Sequence, residues 1–306
     1  MATIDTSILF KPAVIAILAN TQAIPDLEVF FTSLQLWNNE LPPVYMYCCS
    51  KTLDYLDKKE LYRGPLTCRV MLDSYSSYTR SQMERLPSVE GLSNLFHDFT
   101  QEKCGLVEWA YKHIPDDKKE QGVLFCDADI CWLGPLPSIP KGKVLGVSPH
   151  MIRKEDEALY GEYNAGFLWT NQPTFPKVWK QACKTSRFFE QAALEVLADN
   201  TPDEELYVFG ETINYGWWRM YQSSNSPQVQ QGAWSLNGSN NSREEPTGLY
   251  IHGIPVCCIH THWITKDTIT HRFNSWIFEK LRRLINIHPA FHSLMFTLNM
   301  IHKNTV

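Results

Sequence analysis

Val123-Leu-Phe-Cys-Asp127-Ala-Asp129-Ile-Cys-Trp-Leu133 is the stretch on which the fold turns. Four apolar residues run straight into two carboxylates spaced i, i+2. A short apolar run of this kind reads as a strand buried on both faces of a parallel sheet. In open α/β sheets ligands sit outside the carboxyl ends of the strands. Two carboxylates at that edge can hold a divalent cation that also binds phosphate, because Mg²⁺ and Mn²⁺ take oxygen ligands and keep positions open. The plainer alternative is that Asp127 and Asp129 only close a turn. The strand before them and the apolar Trp132-Leu-Gly-Pro-Leu136 behind them favour the metal.

Upstream, residues 13–18 form a second apolar run. Pro25 and Asp26 open a helical pattern carrying Leu27, Val29, Phe30, Leu34, Leu36 and Trp37, which ends at Pro42-Pro43. Residues 44–48 read as the next strand. Strand, helix, strand implies a parallel pair with a right-handed crossover. A third strand fits 68–72, a polar loop with short helices fits 74–92, and a helix fits 99–113. Downstream, strands are expected at 143–147, 164–169, 249–251 and 255–260. Helices are expected at about 174–184 and 188–198, with one more inside 210–222. The pattern predicts an α/β domain over residues 1–273, a mixed but mostly parallel sheet flanked by helices. A helical tail over 274–306 packs on it. No internal repeat is visible.

With 44% hydrophobic residues the chain can build a core, which excludes a disordered protein. The net charge of −5 leaves no broad basic footprint, so no nucleic-acid partner is expected. No 18-residue apolar run suggests a membrane span, and Met1-Ala2-Thr3-Ile4-Asp5 does not read as a signal peptide. Nine cysteines, an odd number without regular spacing, suggest reduced thiols and a cytoplasmic location. There Asn237 and Asn240, each in an Asn-x-Ser triplet, would stay unmodified. Aromatic residues reach 12%, with 10 Trp, which suits a Trp-rich core or a surface on which sugar rings stack.

Several other residues carry chemistry. Asn20 and Thr21 end the first strand, where they either bond a nucleotide or cap the next helix. Lys103, read as lying near a helix start, opposes the macrodipole and so calls for an anion, unless it is a solvated surface residue. Arg80 and Arg85 are further cations for phosphate. Gly166 lets a ligand approach the backbone, and Asn164 offers both a donor and an acceptor. Glu211 is the lone acid of Phe209-Gly-Glu-Thr-Ile-Asn-Tyr215, and Trp217 and Trp218 follow it. His260 and His262 share one face of a strand. Cys257 and Cys258 beside them lack the spacing of a structural zinc site.

Asp127-Ala-Asp129 resembles the DxD motif of GT-A-fold nucleotide-sugar glycosyltransferases. Asn164-Ala-Gly-Phe-Leu-Trp169 resembles the strand that follows that motif. Gly210-Glu211-Thr-Ile-Asn214 resembles an acidic segment beside the acceptor, and His260-Thr-His262-Trp263 the late His of the metal site. The resemblance spans about residues 10–265 and is similar to the small soluble glycosyltransferases of large algal DNA viruses. It implies a GT-A-like fold with a nucleotide-sugar half over about 10–135 and an acceptor half over about 136–273. It implies Mn²⁺ or Mg²⁺, a UDP-type sugar donor (UDP-xylose or another small sugar among the candidates) and a glycan hydroxyl as acceptor. Asp127, Asp129 and His260 would hold the metal. Asn20, Thr21, Arg80, Lys103, Asp127, Ala128, Asp129 and His262 would contact the donor and its metal-bound diphosphate. Asn164, Ala165, Gly166, Trp217 and Trp218 would face the acceptor. Asp127 and Glu211 would be catalytic, Glu211 deprotonating the acceptor or steadying an oxocarbenium-like centre. The loops 74–91 and 222–245 are candidates for a moving lid. Two rival readings are a noncatalytic nucleotide- or sugar-binding protein and a phosphohydrolase using Asp127 as nucleophile. Against the second, Ile130-Cys131 follow the pair, and the motif sits at mid-chain.

Overall fold

Period-2 burial along the apolar runs decides how the layers stack. Val14, Ala16 and Leu18 enter one hydrophobic cluster, while Ile15, Ile17 and Ala19 enter another. That strand is therefore covered on both faces. A computed structural model describes residues 9–236, 248–263, 267–284 and 291–305. The strands needed below are β1 (Val14–Ala19), β2 (Val44–Cys48), β3 (Leu66–Val70), β4 (Val123–Asp127), β5 (Ile130–Trp132), β6 (Leu145–Pro149), β7 (Tyr163–Thr170), β8 (Leu206–Val208), β9 (Tyr215–Gly216) and β10 (Cys258–His260). The helices are α1 (Ile24–Trp37), α2 (Leu95–Lys112), α3 (Phe175–Cys183), α4 (Ala193–Asp199), α5 (Trp217–Tyr221), α6 (Thr268–Leu284) and α7 (Phe291–Thr305).

The main sheet has the order β8-β6-β7-β4-β1-β2-β3. Every neighbouring pair is parallel except the two that involve β7. The mixed, mostly parallel α/β architecture expected from sequence is the one the chain adopts. Helices α2, α3 and α4 cover one face through Leu106, Val107, Trp179 and Leu194. Helix α1 covers the other through Leu27, Phe30, Phe31 and Leu34. A third cluster joins β9 and β10 to α6 and α7 through Tyr215, Ile259, Phe273, Ile277 and Leu294.

Reversal of β7 has a local consequence. The strands β1, β2, β3, β4, β6 and β8 all end at one edge, and β7 begins there. Pairing of Cys126 with Phe167 sets Gly166 beside Asp127, and an irregularity after Val147 sets Asn164 beside Ser148. Asp127-Ala128-Asp129 is the tight turn from β4 into β5. Strand β5 pairs antiparallel with β10, which sets Ile130 against His260.

Four expectations shift. The helix expected at 99–113 starts at Leu95, because the Asn94 side chain accepts the His97 N–H at 2.9 Å and caps it there. Lys103 thus lies in mid-helix and is buried. The helix expected at 188–198 is only α4, and residues 186–192 form an irregular turn, with Phe189 at φ 44°. The helix within 210–222 is only α5. Ahead of it lies a turn in which Asn214 adopts φ 56°, a conformation Asn tolerates better than most residues. Helix α6 begins at Thr268, so position 274 falls in its second turn. Of the two loop candidates, 74–91 contains the short helix Arg80–Met83, capped by Thr79. The segment 222–236 contains the helix Pro227–Gly232; its continuation to 245, with Asn237 and Asn240, lies outside the described residues. Among the described residues no helix is long and apolar enough to cross a membrane.

Candidate active site

Three ligand-bearing side chains converge at the β4–β5 turn. His260 Nε2 lies 2.7 Å from Asp129 Oδ1 and 4.0 Å from Asp127 Oδ2. His262 Nδ1 lies 2.5 Å from Asp129 Oδ2. Ligand atoms of Asp129, His260 and His262 all fall within 4.8 Å of one another. The turn is held from behind, since the backbone N–H and the hydroxyl of Thr261 both donate to Asp129 O at 2.9 Å. Gly166 leaves the space open. A Cβ there would stand 2.5 Å from Asp127 Oδ2 and 2.5 Å from His260 Cε1.

Hydrogen bonding fixes which nitrogen of His260 faces this cluster. The Gly166 N–H can only donate, so the Asn164 atom 2.9 Å from it is the oxygen. That oxygen also receives Asn214 Nδ2 at 3.1 Å, which makes the other Asn214 terminus the carbonyl. The Asn214 carbonyl lies 3.0 Å from His260 Nδ1, so Nδ1 carries the proton and donates. In the neutral imidazole, Nε2 then presents a lone pair to the Asp129 carboxylate at 2.7 Å, and it has no aligned hydrogen-bond partner. Unprotonated, Nε2 and the carboxylate are two electron-rich atoms that a cation between them would satisfy. An outer partner that holds the far nitrogen as donor is how metal-ligating histidines are oriented. The residues present therefore fit a divalent metal. Imidazole nitrogen beside carboxylate oxygen suits Mn²⁺ better than Mg²⁺, which prefers an all-oxygen shell.

The charged groups of the turn also interact with one another. Burial would raise the Asp129 carboxyl, but His260 and His262 outweigh it and hold the group well below the usual carboxylate range. Burial would lower His262, but Asp129 wins and raises it. Burial raises Asp127, more than Lys103 can lower it, and repulsion from Asp129 adds to the rise. Lys103 Nζ sits between Asp127 Oδ1 at 3.0 Å and Glu190 Oε1 at 2.8 Å, over the Phe125 ring. Burial would raise Glu190, but Lys103 keeps it below its ordinary value.

A cleft of about 390 Å³ opens from this corner. Its floor is Asp127, Gly166, His260 and His262, with Lys103 and Glu190 at one side. Phe96, Tyr160, Phe188, Phe189, Trp217 and Trp218 form its walls. Tyr160 and Phe188 meet edge to face at 5.1 Å, and Phe96 meets Phe189 likewise at 5.1 Å. His150, buried behind Asn164, donates from Nδ1 to Gly161 O at 2.6 Å. Burial pulls its pKa down to about 4, so it is neutral.

Sequence-expected residues divide into three groups. Asp127, Asp129, Lys103, Asn164, Gly166, Trp217, Trp218, His260 and His262 are brought together around the turn and its cleft. Ala165 belongs to the floor strand, and its carbonyl lies 3.4 Å from Lys103 Nζ. Arg80 reaches the cleft wall, but it pairs with Glu84 and stacks over Phe96. Asn20, Thr21 and Ala128 lie along the carboxyl edge outside the cleft lining. The Asn20 side chain caps the next turn by accepting Gln22 N–H, and the Thr21 hydroxyl meets Cys49 Sγ at 3.1 Å. Glu211 is not among the cleft residues; it lies 3.9 Å from the exposed His252, and its backbone carbonyl accepts from buried Arg219. Sequence reasoning missed Glu190, Asn214, Arg219 and His150. Asn214 stood inside the quoted 210–214 segment, and its tolerance of a left-handed turn was the available signal.

No protein-family model and no curated protein sequence matches the chain. Solved structures with a similar fold include a galactosyltransferase, LgtC, in complex with donor and acceptor sugar analogs. It is 12% identical, covers 86% of this chain and 94% of its own, and has a TM-score of 0.47. The glycosyltransferase GlyE of Streptococcus pneumoniae TIGR4 is 13% identical at a TM-score of 0.41. That match covers 66% of this chain, which spans less than half of GlyE, 46%. Glucosyl-3-phosphoglycerate synthase from Mycobacterium tuberculosis, in complex with Mn²⁺, UDP and glucosyl-3-phosphoglycerate, is 11% identical at a TM-score of 0.34. It covers 73% of this chain and 75% of its own.

Proposed function

We propose that the chain is a metal-dependent glycosyltransferase of GT-A type, moving a sugar from a UDP-type donor to a hydroxyl of a glycan acceptor. The observation that carries this reading is the convergence of His260 Nε2, His262 Nδ1 and Asp129 at the carboxyl edge of the sheet, above a glycine floor. Asp129, His260 and His262 would hold Mn²⁺. Bound there, the metal supplies charge that neutralises the departing diphosphate. Asp127 faces the same point with Oδ2 while Lys103 fixes its Oδ1. The nucleotide runs along the edge formed by Asn20, Thr21 and Ala128.

Glu190 takes the place expected for Glu211. It is buried, faces the cleft, and is kept ionised by Lys103. A carboxyl held below its ordinary pKa is a weak base but a good fixed negative charge. Glu190 therefore steadies positive charge developing at the sugar's anomeric carbon. The acceptor lies against the aromatic walls. Charged groups of the cleft are already matched: Lys103 by two carboxylates, Arg80 by Glu84, and Asp267 by the N–H groups of Ile269 and Thr270. Asn164 and Gln191 bond each other and their neighbours, which leaves the Gln222 side chain and the spare capacity of Gln191 for hydroxyls. Aromatic faces with neutral amides suit an uncharged saccharide.

The test is nucleotide release from a panel of UDP- and GDP-sugars with Mn²⁺, using wild type and Asp129→Ala. Mn²⁺-dependent UDP release that disappears in the variant supports the reading. Tight, metal-independent nucleotide binding without release overturns it in favour of a binding protein. Phosphate release from phosphomonoesters, lost in Asp127→Asn, would assign a phosphohydrolase instead.

A further inference from the structure

His262 adopts φ 46°, in the left-handed region, although it is not glycine. Such a conformation persists where the surroundings over-determine it. Here the carbonyl of that residue is held by a side chain from another element. Asn274 Nδ2, from α6, donates to His262 O at 3.2 Å. Asn274 is buried, at 5% exposure, so the bond does not compete with bulk water. Asn274 bonds the backbone of His262 rather than its imidazole. Its own side-chain oxygen has no partner, so the bond to His262 O is what the amide contributes.

We propose that Asn274 is a positioning residue of the metal site, acting through His262; this rests on the metal reading given above. Without the amide, the 262–263 peptide is free to relax toward the right-handed region. That rotation carries Nδ1 away from Asp129 Oδ2, from which it is now 2.5 Å. Helix α6 is then part of the site rather than an appended tail, and Asp267 and Thr270 at its start line the same cleft. Outer residues that orient a ligand typically change metal affinity by about 10–100-fold when removed.

The experiment is a double-mutant cycle read by Mn²⁺ titration calorimetry, without substrate. It uses wild type, Asn274→Leu, His262→Ala and the double variant. Leucine keeps the branched skeleton, and it removes one bonded and one unbonded polar atom together. Thermal unfolding of the metal-free proteins reports any structural loss separately. Should Asn274→Leu fail to fold, Asn274→Asp keeps the shape and lacks the donor. The expected result is Mn²⁺ affinity about tenfold weaker in the wild-type background and unchanged by the second substitution in the His262→Ala background. Equal weakening in both backgrounds, or none in either, overturns the positioning role while leaving the metal site intact. A wild type that binds no Mn²⁺ overturns the metal site itself, and the positioning role with it.

Discussion

Replacing Gly166 by alanine asks the site for the least and should cost it most. The backbone at Gly166 is not left-handed, so alanine brings no conformational strain and the question is one of space. The added Cβ would meet Asp127 Oδ2 and His260 Cε1 at 2.5 Å each, and Asn164 Oδ1 at 2.9 Å. Real Cβ contacts essentially never fall under 3.0 Å, so two of these groups must withdraw by roughly half an ångström or more. None is free to do so. Lys103 holds Asp127, Asn214 holds His260, and the Gly166 N–H holds Asn164. Overpacking of this kind costs about 1–3 kcal/mol, against a gain of about 0.4–1 kcal/mol from the less flexible unfolded chain. The protein should therefore stay folded, with global stability of about 5–15 kcal/mol to draw on. Displacing catalytic groups by such distances costs about 10²-fold in rate. Expected results are a cooperative thermal transition a few degrees lower, Mn²⁺ affinity at least tenfold weaker, and donor turnover down about 10²-fold. The assays are thermal unfolding, calorimetric Mn²⁺ titration and UDP release. A Gly166→Ala protein with wild-type Mn²⁺ affinity and turnover would refute the placement of the metal against this floor.

Three further outcomes follow from the buried charges. Lys103→Met leaves Asp127 and Glu190 without their shared partner, and denaturant unfolding at pH 7 should show a loss of about 3–5 kcal/mol. Glu190→Gln should lower kcat about 10²-fold while Mn²⁺ affinity holds, since Glu190 faces the cleft and not the metal ligands; equal loss of both would reassign it. His150 is a base whose folded pKa is depressed from 6.5 to about 4, so the unfolded chain takes up its proton first as pH falls. Its contribution is fully present above pH 6.5 and lost toward pH 4. Between pH 7 and pH 5 it should account for about 2 kcal/mol of lost stability, at 1.36 kcal/mol per unit, a slope that urea unfolding should find missing in His150→Gln.

How far the sequence carried the site depends on whether a residue's role is written in its neighbours. Asp127 and Asp129 were legible because a hydrophobic strand delivers them to a sheet edge, and β4 ends where that reading put it. Asn164 and Gly166 were legible because a polar residue and a glycine inside an apolar run require a reason. Glu190 was not. In Arg187-Phe-Phe-Glu-Gln191 it reads as the polar face of a helix, and only the irregular turn at 186–192 aims it inward, toward a lysine 87 positions earlier in the chain. Lys103 was misplaced for a related reason: Asn94 starts the helix about one turn before the expected residue 99, so a residue read as near a start is buried in the middle. Glu211 and Asn214 show the sharper limit. The segment was singled out for its acid, yet the residue of it that bonds into the corner is the amide three residues on. A carboxylate at 214 would offer no donor to Asn164 Oδ1, and the proton on His260 Nδ1 would no longer be the only way to satisfy the network. The orientation of His260 at this corner is thus passed from one backbone N–H through two asparagines to an imidazole. Composition carries no trace of that relay, since each member is an ordinary polar residue until the reversed strand β7 sets them side by side.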